Sequence, residues 1–226
     1  MIRDGGVDGM KVTWHGHACF SITRSDGYTV VFDPHDGHSI GLTRPGVKGD
    51  LILVTHDHFD HNAVDIVKKD GSRVLKSFRG ETSVDDIVVK GYKTYHDKYG
   101  GRRRGENTVY IVSIEGLRIA HLGDLGHIPG DELLSKLSGV DILFIPVGGV
   151  YTIDADEAWE IVSRVKPVIT VPMHYWVKGL TLPLHSVEDF LSYVKKFRVV
   201  RHEENWFEVG KSSLPSENSV YVLRYL

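Results

Sequence analysis

The run Thr55-His56-Asp57-His58-Phe59-Asp60-His61 follows directly on four apolar residues, Leu51-Ile52-Leu53-Val54, and puts three imidazoles and two carboxylates into six positions. Imidazole nitrogen and carboxylate oxygen are the ligands that a borderline cation such as zinc takes when no thiolate is close. A buried strand ending at Thr55 presents its following loop beyond the sheet edge, the usual place for ligand groups in layered α/β folds. His56 and His58 are two apart and can face the same way. Asp60 and His61 come after the chain has turned, so they address a neighbouring point, and two metal ions rather than one are expected.

The rest of the chain is compatible with such a site. Its 226 residues, 41% of them hydrophobic, are enough for one large domain with a buried core. The net charge of -3, with both signs interspersed, speaks against a nucleic-acid binder or a membrane-surface protein. No apolar run reaches transmembrane length, and Met1 to Gly9 is polar and glycine-rich, which reads as a flexible leader ahead of a single domain over 10–226. The one cysteine, Cys19, sits in an apolar setting and reads as a core residue; a reducing, cytoplasmic compartment fits.

Hydrophobic periodicity predicts strands over Lys11 to Thr23, Tyr28 to Asp33, Leu51 to Thr55, Arg73 to Ser77, Ile87 to His96, Thr108 to Ile114 and Leu117 to Leu122. Glu115-Gly116 closes the last two into a hairpin. A short helix is expected over Ala63 to Lys69. From Asp131 helix and strand alternate: Asp131 to Leu137, Asp141 to Pro146, Asp154 to Val165, Val168 to Val171 and Val187 to Phe197, with final strands over Phe207 to Val209 and Val220 to Leu226. Asp154 is placed to cap its helix, and Ser186 with Asp189 gives a capping-box pattern. Many strands first, then alternation, predicts mixed sheets with helices packed outside.

The motif resembles the His-x-His-x-Asp-His signature of the metallo-β-lactamase superfamily, and the resemblance extends over almost the whole chain from Met10. It implies an α/β fold, a four-layer αββα sandwich of two mixed sheets flanked by helices. The later ligands of that superfamily find matches in order at His96, Asp124 and His174, each at a strand end. By this resemblance His56, His58 and His96 hold one metal, Asp60, His61 and His174 hold the other, and Asp124 bridges them. Strand parity separately sets His121 on the opposite face from Asp124, as a packed residue. Gly123-Asp124-Leu125-Gly126-His127, Pro146-Val147-Gly148-Gly149 and Pro172-Met173-His174-Tyr175 are most similar to compact zinc-dependent hydrolases of bacteria and archaea. His17 resembles a glycine-histidine-small motif of the subgroup that includes ascorbate-6-phosphate lactonases, which would put it in the pocket.

Asp33, before Pro34, matches an aspartate that braces the metal loop in that superfamily, although a turn carboxylate fits the sequence equally well. His127 and Tyr175 flank ligand positions and are proton-donor candidates, with a structural role the simpler reading of each. Arg102-Arg103-Arg104 is the one dense basic cluster. Taken alone it is a solvated loop; placed directly after a ligand, Arg102 and Arg103 could take a phosphate or carboxylate at the mouth of the site. The resemblance implies a hydrolase that uses two divalent ions, zinc by preference and manganese or iron as alternatives. Its metal-bound hydroxide, with Asp60 and Asp124 among the catalytic groups, would attack an ester, lactone, amide or phosphodiester of a small substrate, an anionic one included. An RNA-processing nuclease of the same superfamily, a redox diiron protein and a non-catalytic metal scaffold are the competing readings.

Overall fold

The computed structural model describes residues 9–226, so the expected leader lies outside the described residues apart from Gly9. Fourteen strands form two mixed sheets. The first has the order β13-β1-β2-β3-β4-β5, built from β1 (Met10–Trp14), β2 (Phe20–Thr23), β3 (Thr29–Phe32), β4 (Gly49–Val54), β5 (Lys68–Lys76) and β13 (Trp206–Val209). The second has the order β12-β14-β11-β10-β9-β8-β7-β6. It takes β6 (Gly80–Val84), β7 (Ile87–Tyr95), β8 (Glu106–Ile114), β9 (Leu117–His121), β10 (Ile142–Pro146), β11 (Ile169–Met173), β12 (Arg198–Arg201) and β14 (Ser219–Val222).

Period-2 alternation divides the first sheet between two cores. Val30 and Phe32 of β3, with Leu51 and Leu53 of β4, join the main core between the sheets. Val31, Ile52 and Val54 point the other way, onto Val64 and Val67 of the one-turn helix α1 (Val64–Val67). Rings cross the gap between the sheets: Phe20 stacks on Phe144 with centroids 4.1 Å apart. On the outer face of the second sheet lie α2 (Asp131–Leu137), α3 (Ala155–Val165) and α4 (Val187–Tyr193). Ala158, Ile161, Val162 and Val165 form the buried stripe of α3, and Asp154 and Glu157 complete a reciprocal capping box at its start. The layers are therefore helix, sheet, sheet, helix, the αββα arrangement expected. Among the described residues no helix is long and apolar enough to cross a membrane.

Several local expectations are corrected. Lys11 to Thr23 is two antiparallel strands, not one, because the chain reverses through residues 15–19, where Gly16 and His17 both take positive φ (92° and 54°). A Cβ on Gly16 would come within 2.8 Å of the Tyr225 ring, so the reversal needs glycine for space as well as for φ. The helix after Asn62 shortens to one turn and the strand after it starts early, at Lys68, where its charged residues blunt a sheet edge. β6 and β12 escaped the sequence pattern because Gly-Glu-Thr-Ser-Val and Arg-Val-Val-Arg carry no clean alternation. The helix expected to run to Phe197 stops at Tyr193, and the last strand ends at Val222 rather than Leu226. Ser186 caps α4 through the Glu188 N–H at 3.1 Å, while the Asp189 N–H bonds the Ser186 carbonyl, so the box predicted there does not form.

Candidate metal centre

β3 and β4 run parallel in one sheet, and β7, β9 and β11 run the same way in the other, so their C-terminal ends deliver side chains to a common edge. β4 delivers the loop with His56, His58, Asp60 and His61. β7 delivers His96, β9 delivers Asp124 and β11 delivers His174. Asp124 lies at the middle: its carboxylate oxygens are 3.1 Å from His96 Nε2, 3.2 Å from His174 Nε2, 3.2 Å from His61 Nε2 and 3.8 Å from His56 Nε2. Two groups of ligand atoms form around it, His56, His58 and His96 in one and His17, Asp60, His61 and His174 in the other, with all atoms of a group within 4.8 Å of one another.

Asp33 organises both groups without joining either. Its Oδ1 accepts the Thr55 N–H at 2.7 Å, and its Oδ2 accepts the Thr55 hydroxyl at 2.6 Å and His61 Nδ1–H at 2.9 Å. Since the Thr55 hydroxyl hydrogen is committed to Asp33, Thr55 Oγ1 must accept from His56 Nδ1–H, 2.9 Å away. One carboxylate thus holds the Nδ1–H of His61 directly and that of His56 through a hydroxyl, and turns Nε2 of both toward Asp124. His17 is fully buried, and its Nε2–H donates to Asp60 Oδ2 at 3.0 Å. Its own carbonyl accepts the His174 N–H, which ties the 15–19 reversal to the end of β11. Asn107, buried at the polar start of β8, accepts the Asp124 N–H and donates to the Leu122 carbonyl, holding the turn that carries Asp124.

Burial pushes the Asp124 carboxyl up, but the His174, His61 and His96 imidazoles outweigh it and hold the group well below the usual carboxylate range. Asp33 and Asp60 are likewise held down against burial, chiefly by His61. Burial lowers His17 to about 3 and His56 to about 3, each helped by a neighbouring imidazole. His58 is lowered by burial and His96. His61 alone of these four imidazoles is raised, because Asp124 and Asp60 overcome the cost of burial. Three carboxylates held below their ordinary range gather negative charge in one buried place. His56 Nε2, His61 Nε2, His96 Nδ1, His174 Nδ1 and Asp124 Oδ1 are buried with no hydrogen-bond partner. Buried acceptors and gathered negative charge are what a divalent cation would satisfy, so the residues present fit one.

Other expected residues lie elsewhere. Tyr175 turns into the core beside Trp14, with ring centroids 5.2 Å apart, and its hydroxyl points to the Leu223 carbonyl; burial lifts its phenol far above the ordinary value. The His127 ring accepts from the Tyr95 N–H and donates to the Ile128 carbonyl, lining a separate recess with Lys136. Neither is placed to donate a proton in the site. His121 is packed, as parity predicted: it stacks on Phe32 and its Nε2–H donates to the Ala18 carbonyl. Arg102 donates to the Tyr99 carbonyl, and Arg103 lies on the Tyr99 ring and borders a side cavity with His96 and Tyr151, but neither of the expected pair lines the space directly over the cluster. Arg104 instead lines a cavity of about 300 Å³ above it, with Phe59, Tyr151 and Leu182. Thr55, Asn107 and Tyr151 were not singled out from sequence. A hydroxyl just before the first histidine was the available signal for Thr55, while Asn107, between Glu106 and Thr108, and Tyr151 left none.

Residues 11–174 match the family model described as Beta-lactamase superfamily domain. A UPF0173 metal-dependent hydrolase of Thermoplasma volcanium is 34% identical over 189 residues, 74% of this chain and 83% of that protein. Another from Archaeoglobus fulgidus is 33% identical over 216 residues, 82% of this chain and 91% of that one. A crystal structure of a metallo-β-lactamase superfamily protein from Thermotoga maritima, 34% identical, superposes with a TM-score of 0.75 and covers 95% of this chain and 98% of that chain.

Proposed function

Because the chain belongs to the metallo-β-lactamase superfamily, and its relatives are metal-dependent hydrolases, we propose that it hydrolyses an ester, lactone, amide or phosphodiester bond of a small molecule with two divalent cations. Zinc is favoured by the donors, imidazole and carboxylate without thiolate; the same set accommodates manganese or iron. His56, His58 and His96 would hold one cation and Asp60, His61 and His174 the other, with Asp124 between them. The observation that carries this reading is the convergence of four imidazole Nε2 atoms on the Asp124 carboxylate, at 3.1–3.8 Å, with those of His56 and His61 buried and without a hydrogen-bond partner. Held there, divalent cations supply Lewis acidity toward a substrate oxygen and make water nucleophilic near neutral pH.

The chain's own groups do the positioning. Asp33 and Thr55 hold the Nδ1–H of two imidazoles so that Nε2 is the atom offered to a cation, His17 orients the Asp60 carboxylate, and Asn107 fixes the backbone of Asp124. Cys19 is excluded as a nucleophile, since it is buried on the far side of the first sheet and burial raises its thiol far out of the reactive range. The cavity, at about 300 Å³, suits a small molecule better than a polynucleotide, and the net charge of -3 points the same way.

The test is removal and return of the metal. Chelated protein should lose turnover of a panel of phosphodiesters, lactones and thioesters and regain it with zinc, manganese or iron, while elemental analysis should give two ions per chain. Undiminished turnover by metal-free protein would overturn the proposal.

A further inference from the structure

The cavity above the cluster has one cationic wall. His58, Asp60, His96, Asp124 and His174 form its floor, and Arg104 lines it with the apolar groups of Phe59, Tyr151 and Leu182. Phe59 is 58% exposed, an unusual place for a phenyl ring unless something covers it. Arg104 is held by two separate devices. Asp97, the residue after His96, accepts backbone N–H groups from Tyr99 at 2.7 Å, Gly101 at 2.9 Å, Arg103 at 2.8 Å and Arg104 at 2.8 Å. The loop then closes on the site, with the His96 N–H bonded to the Gly105 carbonyl at 3.1 Å.

The second device is the side chain's own seat. The guanidinium carbon of Arg104 lies 4.6 Å from the centroid of the Tyr151 ring. Stacking occupies the face of a guanidinium and leaves its in-plane N–H groups for a planar or tetrahedral anion. Lys98, on the same loop, is paired with Glu157 at 2.6 Å, whereas among the described residues no carboxylate pairs with Arg104. A cation seated on an aromatic ring, backed by a four-donor loop and left without a counter-charge beside a metal-ligand cluster, is arranged to receive one.

We propose that Arg104 is a specificity-determining residue, and that the substrate carries a carboxylate or phosphate which this guanidinium takes while the bond to be broken lies over the cluster. The substrate class narrows to anionic small molecules with the charge set off from the scissile bond. This rests on the hydrolase reading for what happens at the cluster, but its test needs no turnover.

Calorimetric titrations of metal-loaded wild-type protein would use butyrate as a single-anion probe and succinate, glutarate and adipate as two-anion probes. A charge-assisted bidentate pair predicts about 10–100-fold tighter binding of at least one dicarboxylate than of butyrate. Arg104→Ala should bring that ratio close to one without altering the butyrate affinity, and Arg104→Lys should keep part of it. Replacing the far carboxylate with a phosphonate distinguishes the anion: a larger Arg104-dependent gain assigns phosphate, a smaller one carboxylate. No advantage for any dicarboxylate in the wild type, or an advantage that survives Arg104→Ala, would overturn the proposal. If metal-dependent turnover persists alongside that result, the hydrolase reading stands and only the substrate class fails.

Discussion

The two imidazole groups flanking Asp124 are built differently. His56, His58 and His96 come from the loop after β4 and from the end of β7 in the opposite sheet; His58 is half-buried at the cavity floor, and the brace behind His56 is a hydroxyl. His17, Asp60, His61 and His174 are all buried, and the brace behind His61 is a carboxylate. The second group also carries a lock on its own carboxylate ligand, His17 on Asp60. A carboxylate acceptor makes a stronger and more directional hydrogen bond to an imidazole N–H than a hydroxyl does. The second group is accordingly the pre-organised one. Both groups reach the cavity floor, but only the first includes a half-buried imidazole, His58, with freedom to adjust to what enters.

Asp124→Asn should produce the largest effect, since this carboxylate touches both groups. Both metals should be lost or strongly weakened, and turnover should fall by more than the ~10–100-fold that partners outside the ligand shell typically cost. Elemental analysis showing one ion retained would break the symmetry assigned to Asp124. Next come the braces. Asp33→Asn removes the acceptor for both Thr55 and His61 and leaves a buried donor unpaired. It should weaken metal binding by ~10–100-fold at both groups and lower stability by about 1–3 kcal/mol. Thr55→Val should weaken the first group alone, by roughly tenfold, read as one changed step in a competitive-chelator titration. Equal weakening of both steps by Thr55→Val would show that the two braces are not separable.

How much of this was legible in the sequence follows from which interactions are local. The loop from His56 to His61 was plain because its candidate ligands are adjacent in the chain, whereas Asp124 and His174 were matched through resemblance to the superfamily, each at a strand end. Asp33 was ambiguous, since a carboxylate before proline looks the same whether it braces a loop or makes a turn; only the pairing of β3 with β4 brings it to Thr55. His17 was assigned to the pocket by resemblance alone, because its position depends on a two-strand reversal that the apolar pattern over Lys11 to Thr23 conceals. Among three consecutive arginines sequence cannot say which faces inward. The Asp97 knot and the Tyr151 ring decide it, and both are contacts the arginine run does not encode.

His17→Asn tests the lock on the second group. Asparagine tolerates the positive φ at this position, so the reversal should survive while the long-range bond to Asp60 is lost. The expected result is a weakening of about tenfold confined to the second metal, with the first step of the chelator titration unchanged. A change in the first step, or in neither, would mean that His17 fills space rather than orienting Asp60.

The smallest effect separates the groups by the sign of their pH response in metal-free protein. His56 is lowered to about 3 in the fold, chiefly by burial, so below its ordinary value of about 6.5 the unfolded chain binds the extra proton and the folded one does not. Its stabilising contribution is therefore whole above pH ~6.5 and is lost as pH falls toward 3. His61 is raised well above 6.5 because Asp124 and Asp60 overcome its burial, so its contribution is whole below pH ~6.5 and is lost as pH rises through the folded value. His56→Gln should flatten the acid-side fall of the melting temperature, and His61→Gln should cost most on the acid side and progressively less toward alkaline pH. For a chain of this size each kcal/mol of difference moves the midpoint by about 2–4 °C, within reach of calorimetry on chelated samples. Slopes changing in the same direction for both variants would show that the two groups titrate as one cluster, and the distinction between a carboxylate-braced and a hydroxyl-braced half would fall with it.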